Sequence, residues 1–202
     1  MRLDDIKKNF EDRNIEFEYF KSEKDLIKSL ENEIDKYTTI GIGNSQTLKH
    51  FKISEMALAL NKVVYDKTLA REKEDKIKLK KQALLSDCYI TSSNAITQDG
   101  KIINVDHSGN RVAAMTYGPD RVLVVVGINK VTLNEQAGIS RVLNVATPKN
   151  ANRAKIASPC SLNESCDKCH QEVRVCNYLS IIRGQNIKGR MKVYLIDEAL
   201  GY

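Results

Sequence analysis

Hydrophobic positions change period several times along the chain, and each change predicts an element. Leu3, Ile6 and Phe10 recur at three- and four-residue spacing, the mark of a polar helix over residues 2–13 with one apolar stripe. Ile15-Glu16-Phe17-Glu18-Tyr19-Phe20 alternates with the period of two that puts successive side chains on opposite faces of a strand. Ser22 with Asp25 resembles a capping box and starts a helix to about Tyr37, with Leu26, Ile27, Leu30 and Ile34 on one side. Residues 38–42 and 63–65 read as short strands. Between them a helical piece opens at Gly43-Asn44-Ser45, and Ser54 can cap a second one over residues 55–60.

Residues 69–85 form a charged helix with a narrow apolar stripe at Ile77 and Leu84, most simply a solvated face. A strand follows at 87–91, and Cys88 within it reads as core. Asp99-Gly100 lies between two apolar stretches and is a strong two-residue hairpin signal, since both positions tolerate positive φ. A second turn at 106–110 leads into 112–116. Residues 121–127 are continuously apolar after Arg121, which predicts a strand buried on both faces. Thr132 with Glu135 forms another capping box for a helix to about Ala146 that Pro148 ends, and a last strand lies at 191–196. Strands alternating with helices predict an α/β three-layer sandwich around a mostly parallel sheet. No linker or repeat divides it, so residues 1–202 are expected to form one domain.

Charge changes the picture at one end. Nine Lys and Arg against three acidic residues between Lys149 and Lys192 account for the whole net charge of +6. Four of the five cysteines fall in this basic segment, as Cys160, Cys166, Cys169 and Cys176, in a C-x5-C-x2-C-x6-C pattern with His170 after the central knuckle. A C-x2-C turn lets two thiolates converge, and flanking cysteines can complete a tetrahedral shell. The same soft ligands can hold an iron–sulfur cluster. A disulfide or redox pair, and plain buried thiols, are the competing readings. The N-terminus has no signal-peptide apolar region and no apolar run reaches membrane-span length, so a cytoplasmic protein with reduced thiols is expected. That favours the metal reading. No nucleic-acid motif is present, and neither a nucleic-acid nor a membrane partner is expected.

Two loops at strand ends are candidates for a ligand. Gly41-Ile42-Gly43-Asn44-Ser45 could bring backbone amides to a small anion, although it is neither a Walker A loop nor a full GxGxxG. The second region joins Asn94 and Ala95 to His107, Asn110 and Arg111. The sites expected are therefore Gly41, Gly43, Asn44, Ser45, Asn94, Ala95 and Asn110 for an anionic ligand, and the four cysteines for a metal.

Ser93-Asn94-Ala95-Ile96-Thr97-Gln98-Asp99-Gly100, then Asn104-Val105-Asp106 and Ser108-Gly109-Asn110-Arg111, then Gly118-Pro119 and Asn129-Lys130 resemble the lactate-utilisation (LUD) domain family. The cysteines and the closing Leu200-Gly201-Tyr202 resemble its short, single-domain branch. The resemblance implies a fold like the sugar-phosphate isomerase and CoA-transferase superfamily, whose members bind anionic ligands at glycine-rich strand ends. It also implies redox metabolism of a small hydroxy or keto acid such as lactate, beside an iron–sulfur partner protein. A [4Fe–4S] cluster or zinc would then occupy the cysteines. The alternative is an enzyme or binding module for a phosphorylated sugar, nucleotide or CoA-type anion, with purely structural cysteines. Gln98 stands where related domains often carry Glu, which argues against direct CoA-transferase chemistry.

Overall fold

The uninterrupted apolar run after Arg121 becomes an interior strand of a six-stranded parallel sheet. The structure is a computed structural model that describes residues 2–167, 169, 170 and 172–202. In chain order, α1 (Leu3–Glu11), β1 (Ile15–Phe20), α2 (Glu23–Ile34) and β2 (Thr39–Ile42) lead into α3 (Gln46–His50) and α4 (Ile53–Ala59). Next come β3 (Val63–Asp66), α5 (Lys73–Ala83), β4 (Cys88–Thr91), β5 (Ala95–Thr97), β6 (Ile102–Asp106) and α6 (Asn110–Thr116). The chain then forms β7 (Arg121–Gly127), β8 (Val131–Thr132), α7 (Glu135–Arg141), α8 (Thr147–Arg153) and α9 (Pro159–Asn163). It closes with β9 (Tyr178–Ile182) and β10 (Met191–Ile196).

The main sheet has the order β1-β10-β7-β4-β2-β3, and every pairing in it is parallel. Alternation divides each strand between two cores. Val122, Val124 and Val126 face α1 and α6, whereas Leu123 and Val125 face α2, α3 and α4. Both sets are fully buried, which is why β7 reads as continuous apolar sequence and not as an alternating one. Helices therefore cover both faces, the three-layer α/β arrangement expected.

A second sheet, ordered β8-β5-β6-β9, adds to that plan. Its centre is the predicted hairpin. β5 and β6 pair antiparallel, and Gly100 supplies the left-handed turn at φ +83°. A Cβ at Gly100 would lie 2.5 Å from the Asn9 carbonyl oxygen, so the turn also needs glycine to pack on α1. Ile96, Ile102 and Ile182 of this sheet join the core beneath the main sheet. Its other side, with Ala95, Ile103 and Val105, is covered by Ile139, Val142 and Leu143.

Four local expectations need correction. Residues 112–116, into which the second turn leads, are helical in α6. The strand β9 lies beyond the cysteines, where none was expected, because its residues Tyr178 and Leu179 are half exposed and present no clear alternation. Asn134, not Thr132, caps α7 by accepting from the Ala137 amide, while Thr132 is held in β8 and donates to the Ile96 carbonyl. Pro148 does not end that helix. A π-helical turn at Val142–Ala146 carries the chain straight into α8, with Pro148 in its first turn. Thr147 Oγ1 donates to the Val142 carbonyl at 2.7 Å across the wide turn.

Leu123→Ala should cost about 2–5 kcal/mol, since the cavity would open in a strand packed on both faces. Leu179→Ala, on the half-exposed β9, should stay within about 0.5 kcal/mol. Urea denaturation of the two variants checks the contrast, and equal losses would contradict the burial assigned to β7.

Candidate functional site

β2 passes its chain outward to β3, whereas β4 passes its chain the other way to β7. The loops after β2 and β4 consequently diverge, and open α/β sheets bind ligands at such switch points beyond the carboxyl ends of the strands. A cleft of roughly 320 Å³ lies there, with Asn44 and Ser45 on one lip and Ser92, Ser93 and Asn94 on the other.

The walls of the cleft are cationic. Lys67 follows β3, Lys80 comes from α5, Lys130 follows β7 and Arg153 comes from α8. Among the described residues none of these four has a carboxylate within salt-bridge distance. Lys80 Nζ donates to Ser108 Oγ at 3.2 Å. Arg153 donates to Tyr202 Oη at 2.6 Å and to Asn150 Oδ1 at 2.7 Å. Burial, with Lys80 adding to it, holds the Lys67 ammonium below the usual lysine range.

Lys130 is the deepest of the four, with 3 % of its surface exposed. Its Nζ donates to Thr47 Oγ1 and Ser92 Oγ, both at 2.9 Å. Burial, reinforced by Arg141 and Arg111, pulls this amine down to about 7.

Arg111 shapes the cleft without offering it a free donor. Nε donates to Asp106 Oδ1 at 3.3 Å and Nη1 to the Ser92 carbonyl and Asn104 Oδ1. Nη2 donates to Asn94 Oδ1 at 2.9 Å and to the Val105 carbonyl at 2.7 Å. All five guanidinium N–H groups are thus occupied. Asn94 and Asn104 complete the lattice, for the Asn94 amide donates to Asn104 Oδ1 and the Val105 amide to Asn94 Oδ1. The carboxylate of Asp106 is held by Arg111 within this lattice, and its charge, with that of Asp66, only partly offsets the burial of Lys67.

The cysteine segment forms one side of the same cleft. Val175 lines it and also packs with Ala151, Ile156 and Cys160. Cys176 packs beneath the second sheet against the cluster of Ala95, Ile103, Val105 and Val142. Asn177 Nδ2 donates to the His107 carbonyl at 2.9 Å, which ties the segment to the loop after β6. All five cysteines are free thiols, and Cys88 is buried in β4 far from the others. Burial raises the Cys176 thiol; Arg174 opposes this, while Cys169, Cys166 and Cys160 add to it. The four cysteines therefore share one neighbourhood. Among the described residues, the sole three His, Cys, Asp or Glu ligand atoms within 4.8 Å of one another belong to Glu23, His50 and Glu198, so no three of the sulfurs lie that close together. The described residues between α9 and β9 form no helix or strand.

A family profile described as the LUD domain matches residues 3–196. The chain belongs to the LUD domain family. Its fold is similar to the crystal structure of a DUF162 family protein from Deinococcus radiodurans, with a TM-score of 0.53 and 14 % identity over 98 % of this chain and 96 % of that one. A weaker likeness, TM-score 0.33 and 17 % identity, links 66 % of this chain to 43 % of eIF2B beta from Chaetomium thermophilum and carries no argument. No curated protein sequence matches the chain. Among the described residues no helix is long and apolar enough to cross a membrane.

In this LUD domain the expected ligand residues separate into two groups. Asn44, Ser45, Asn94 and Asn110 line the cleft. Gly41, Gly43 and Ala95 do not. A Cβ at Gly41 would lie 2.6 Å from Ser86 Oγ, and one at Gly43 would lie 2.5 Å from Thr91 Oγ1. The Gly43 amide already donates to the Ile90 carbonyl. These glycines let strand and helix approach closely; their amides do not cradle an anion. Ala95 lies in the core of the second sheet. Gln98 sits at the far end of β5, where its amide donates to the Thr132 carbonyl. Sequence reasoning passed over Lys67, Lys80 and Arg153, and noted Lys130 only as part of the family block.

Because Lys130 binds its proton more weakly in the folded chain, the unfolded state holds more protons between about pH 7 and the ordinary lysine value. Stability contributed by this group therefore rises with pH across that window. Lys130→Met should flatten the rise. Denaturant midpoints of both proteins over about pH 6–10 test this, and parallel curves would contradict it.

Proposed function

We propose that this LUD domain binds a small anion carrying more than one charged group in its cleft, and holds a four-thiolate metal centre in the segment beside it. The single observation that carries the first part is the convergence of Lys67, Lys80, Lys130 and Arg153 without a paired carboxylate. Lys130 is buried and Lys67 and Lys80 are partly buried; such cations are costly unless a counter-charge arrives, and a bound anion supplies it, with the exposed Arg153 at the rim. In keeping with the family, the protein serves redox metabolism of a small hydroxy or keto acid such as lactate, in company with an iron–sulfur partner protein.

The residues present fit a metal centre in kind. Cys160, Cys166, Cys169 and Cys176 are free thiols in a basic segment, the first three acting on Cys176, and neighbouring cations favour thiolates. A single tetrahedral zinc would need its sulfurs about 3.8 Å apart, given zinc–sulfur bonds of about 2.3 Å. The family's redox associations favour a [4Fe–4S] cluster, in which each thiolate binds a different iron around the cube. Such a group would supply one-electron transfer; the chain's own contribution is to hold the thiolates and exclude solvent.

A second reading rests on the size of the cleft. At roughly 320 Å³, with cations on several walls, it exceeds what a three-carbon acid fills. A phosphorylated sugar, a nucleotide or the phosphate end of a CoA-type ligand matches it better, and the cysteines would then brace the wall.

Titration calorimetry with pyrophosphate should show binding that weakens with added salt. Lys67→Ala and Arg153→Ala should each weaken it by about ten- to a hundredfold. Unchanged affinity in both would remove the case for the cleft. For the metal, anaerobic reconstitution with iron and sulfide should give broad visible absorbance that is lost on changing any of the four cysteines to Ser and kept in Cys88→Ala. Colourless protein retaining stoichiometric zinc would point to the single-ion site, and protein retaining neither would overturn the metal reading.

A further inference from the structure

We propose that Lys130 is a nucleophilic amine that forms an imine with the carbonyl group of an anionic aldehyde or ketone held in the cleft. The inference rests on the anion-binding reading above and adds a substrate class to it: a small carbonyl compound carrying a phosphate or carboxylate.

The geometry sets Lys130 apart from the other buried cations of the chain. Arg121 meets Glu16 and Glu33, and Arg190, a guanidinium that stays charged, gives its donors to the Ala114, Met115 and Pro119 carbonyls and to Gln185 Oε1. Lys130 meets two hydroxyls and no carboxylate, although it is as deeply buried as Arg121. Hydroxyls accept a hydrogen bond from an ammonium and can equally donate one to a neutral amine, so Thr47 and Ser92 suit either protonation state. A carboxylate would instead lock the cation. The charged groups acting on Lys130 from the packed elements are Arg111 of α6 and Arg141 of α7. The donors of Arg111 are all occupied, and Arg141 donates to the Asn129 and Asn94 carbonyls, so both act on the amine through charge alone. Desolvation next to other cations is the arrangement that frees a lysine to attack carbonyls near neutral pH.

Room for the reaction is also present. Lys130 lines the cleft, and a Cβ at Gly201 would stand 3.2 Å from Nζ, so the glycine keeps one flank of the amine clear. The outer cations Lys67, Lys80 and Arg153 would hold the anionic group of the substrate while its carbonyl points inward.

The chemistry balances without a further reactant. The Nζ lone pair attacks the carbonyl carbon, and the carbonyl π electrons move to oxygen, which takes up the proton that nitrogen releases. The carbinolamine then loses its hydroxyl as water after protonation. Amine, carbonyl compound and one proton thus become iminium ion and water. Ser92 and Thr47 lie within hydrogen-bond distance of Nζ to pass these protons.

Two anionic aldehydes of different size, pyridoxal 5′-phosphate and glyoxylate, test the proposal on the full-length chain. Each is incubated near neutral pH, reduced with cyanoborohydride, and the modified lysines are mapped by peptide mass spectrometry. Lys130 should carry roughly tenfold more label than Lys67 or Lys80 with at least one probe, because more of it is present as free amine. Inorganic phosphate should protect it. Lys130→Arg, with an unchanged melting curve, should lose the visible absorbance of the pyridoxal imine. Phosphate-protected label on Lys67 or Lys80 with none on Lys130 from either probe would overturn the nucleophile while leaving the anion site intact. Label scattered over surface lysines and unaffected by phosphate would overturn both.

Discussion

The cleft exists because one guanidinium ties three pieces of chain to a common point. Arg111 reaches the end of β4 through Ser92 and Asn94, and the end of β6 through Asn104, Val105 and Asp106, from its own place in α6. Each tie is a hydrogen bond from a charged donor, about 1.5–3 kcal/mol net. Together they leave none of its planar donors free, so the second sheet cannot pivot away from the first without stranding a charged group. The two lips of the cleft are thereby held at fixed separation. Lysine could not substitute, since a point ammonium lacks the planar fork that reaches five acceptors at once.

The two ends of the main sheet treat charge in opposite ways. At the amino end of β7, Arg121 is closed off by Glu16, Glu33 and the Gly189 carbonyl, a network complete within the chain. At the carboxyl ends, Lys67, Lys80, Lys130 and Arg153 face one another with hydroxyls, amides and a phenol as partners. The first arrangement stabilises the fold; the second leaves like charges in one cleft without a salt-bridged carboxylate among the described residues. Such asymmetry is expected where local structure is bent toward function, because natural chains break the rule of paired buried charge mainly at their sites.

Much of the scaffold was legible in the sequence for identifiable reasons. Residues 122–126 could be read as interior because no polar residue interrupts them, and Asp99-Gly100 as a turn because few other dipeptides accept that backbone. The helix from Glu135 was blurred by competition: Thr132 and Asn134 both look like caps, and the strand pairing of Thr132 with Thr97 decided between them. Pro148 misled because its consequence depends on whether the preceding turn is α or π. At the site, glycine spacing suggested an anion loop where the need was close packing against Tyr89 and Thr91. The lysines escaped notice because charge in a single sequence reads as solvated surface. Lys67 and Lys130 each follow a strand of the parallel sheet, and the strand-end rule applied to every strand would have singled them out.

The cysteine segment and the cleft cannot be mechanically independent. Val175 contacts Cys160 and its neighbours on one side and faces the cleft on the other, while α8 carries Arg153 into the cleft and packs on α9, which carries Cys160. A group that drew the four sulfurs together would have to move Val175, Cys176 or α9, and each of these is joined to a wall of the cleft. Binding free energies linked through a shared element are reciprocal: whatever a metal does to anion affinity, the anion does to metal affinity by the same factor. The sign follows from order. Between α9 and β9 the described residues have no helix or strand, so if a first ligand orders the wall, a second would meet less of that entropy cost. Were a metal held by the cysteines and an anion by the cleft, Val175 is the side chain through which the two would be coupled.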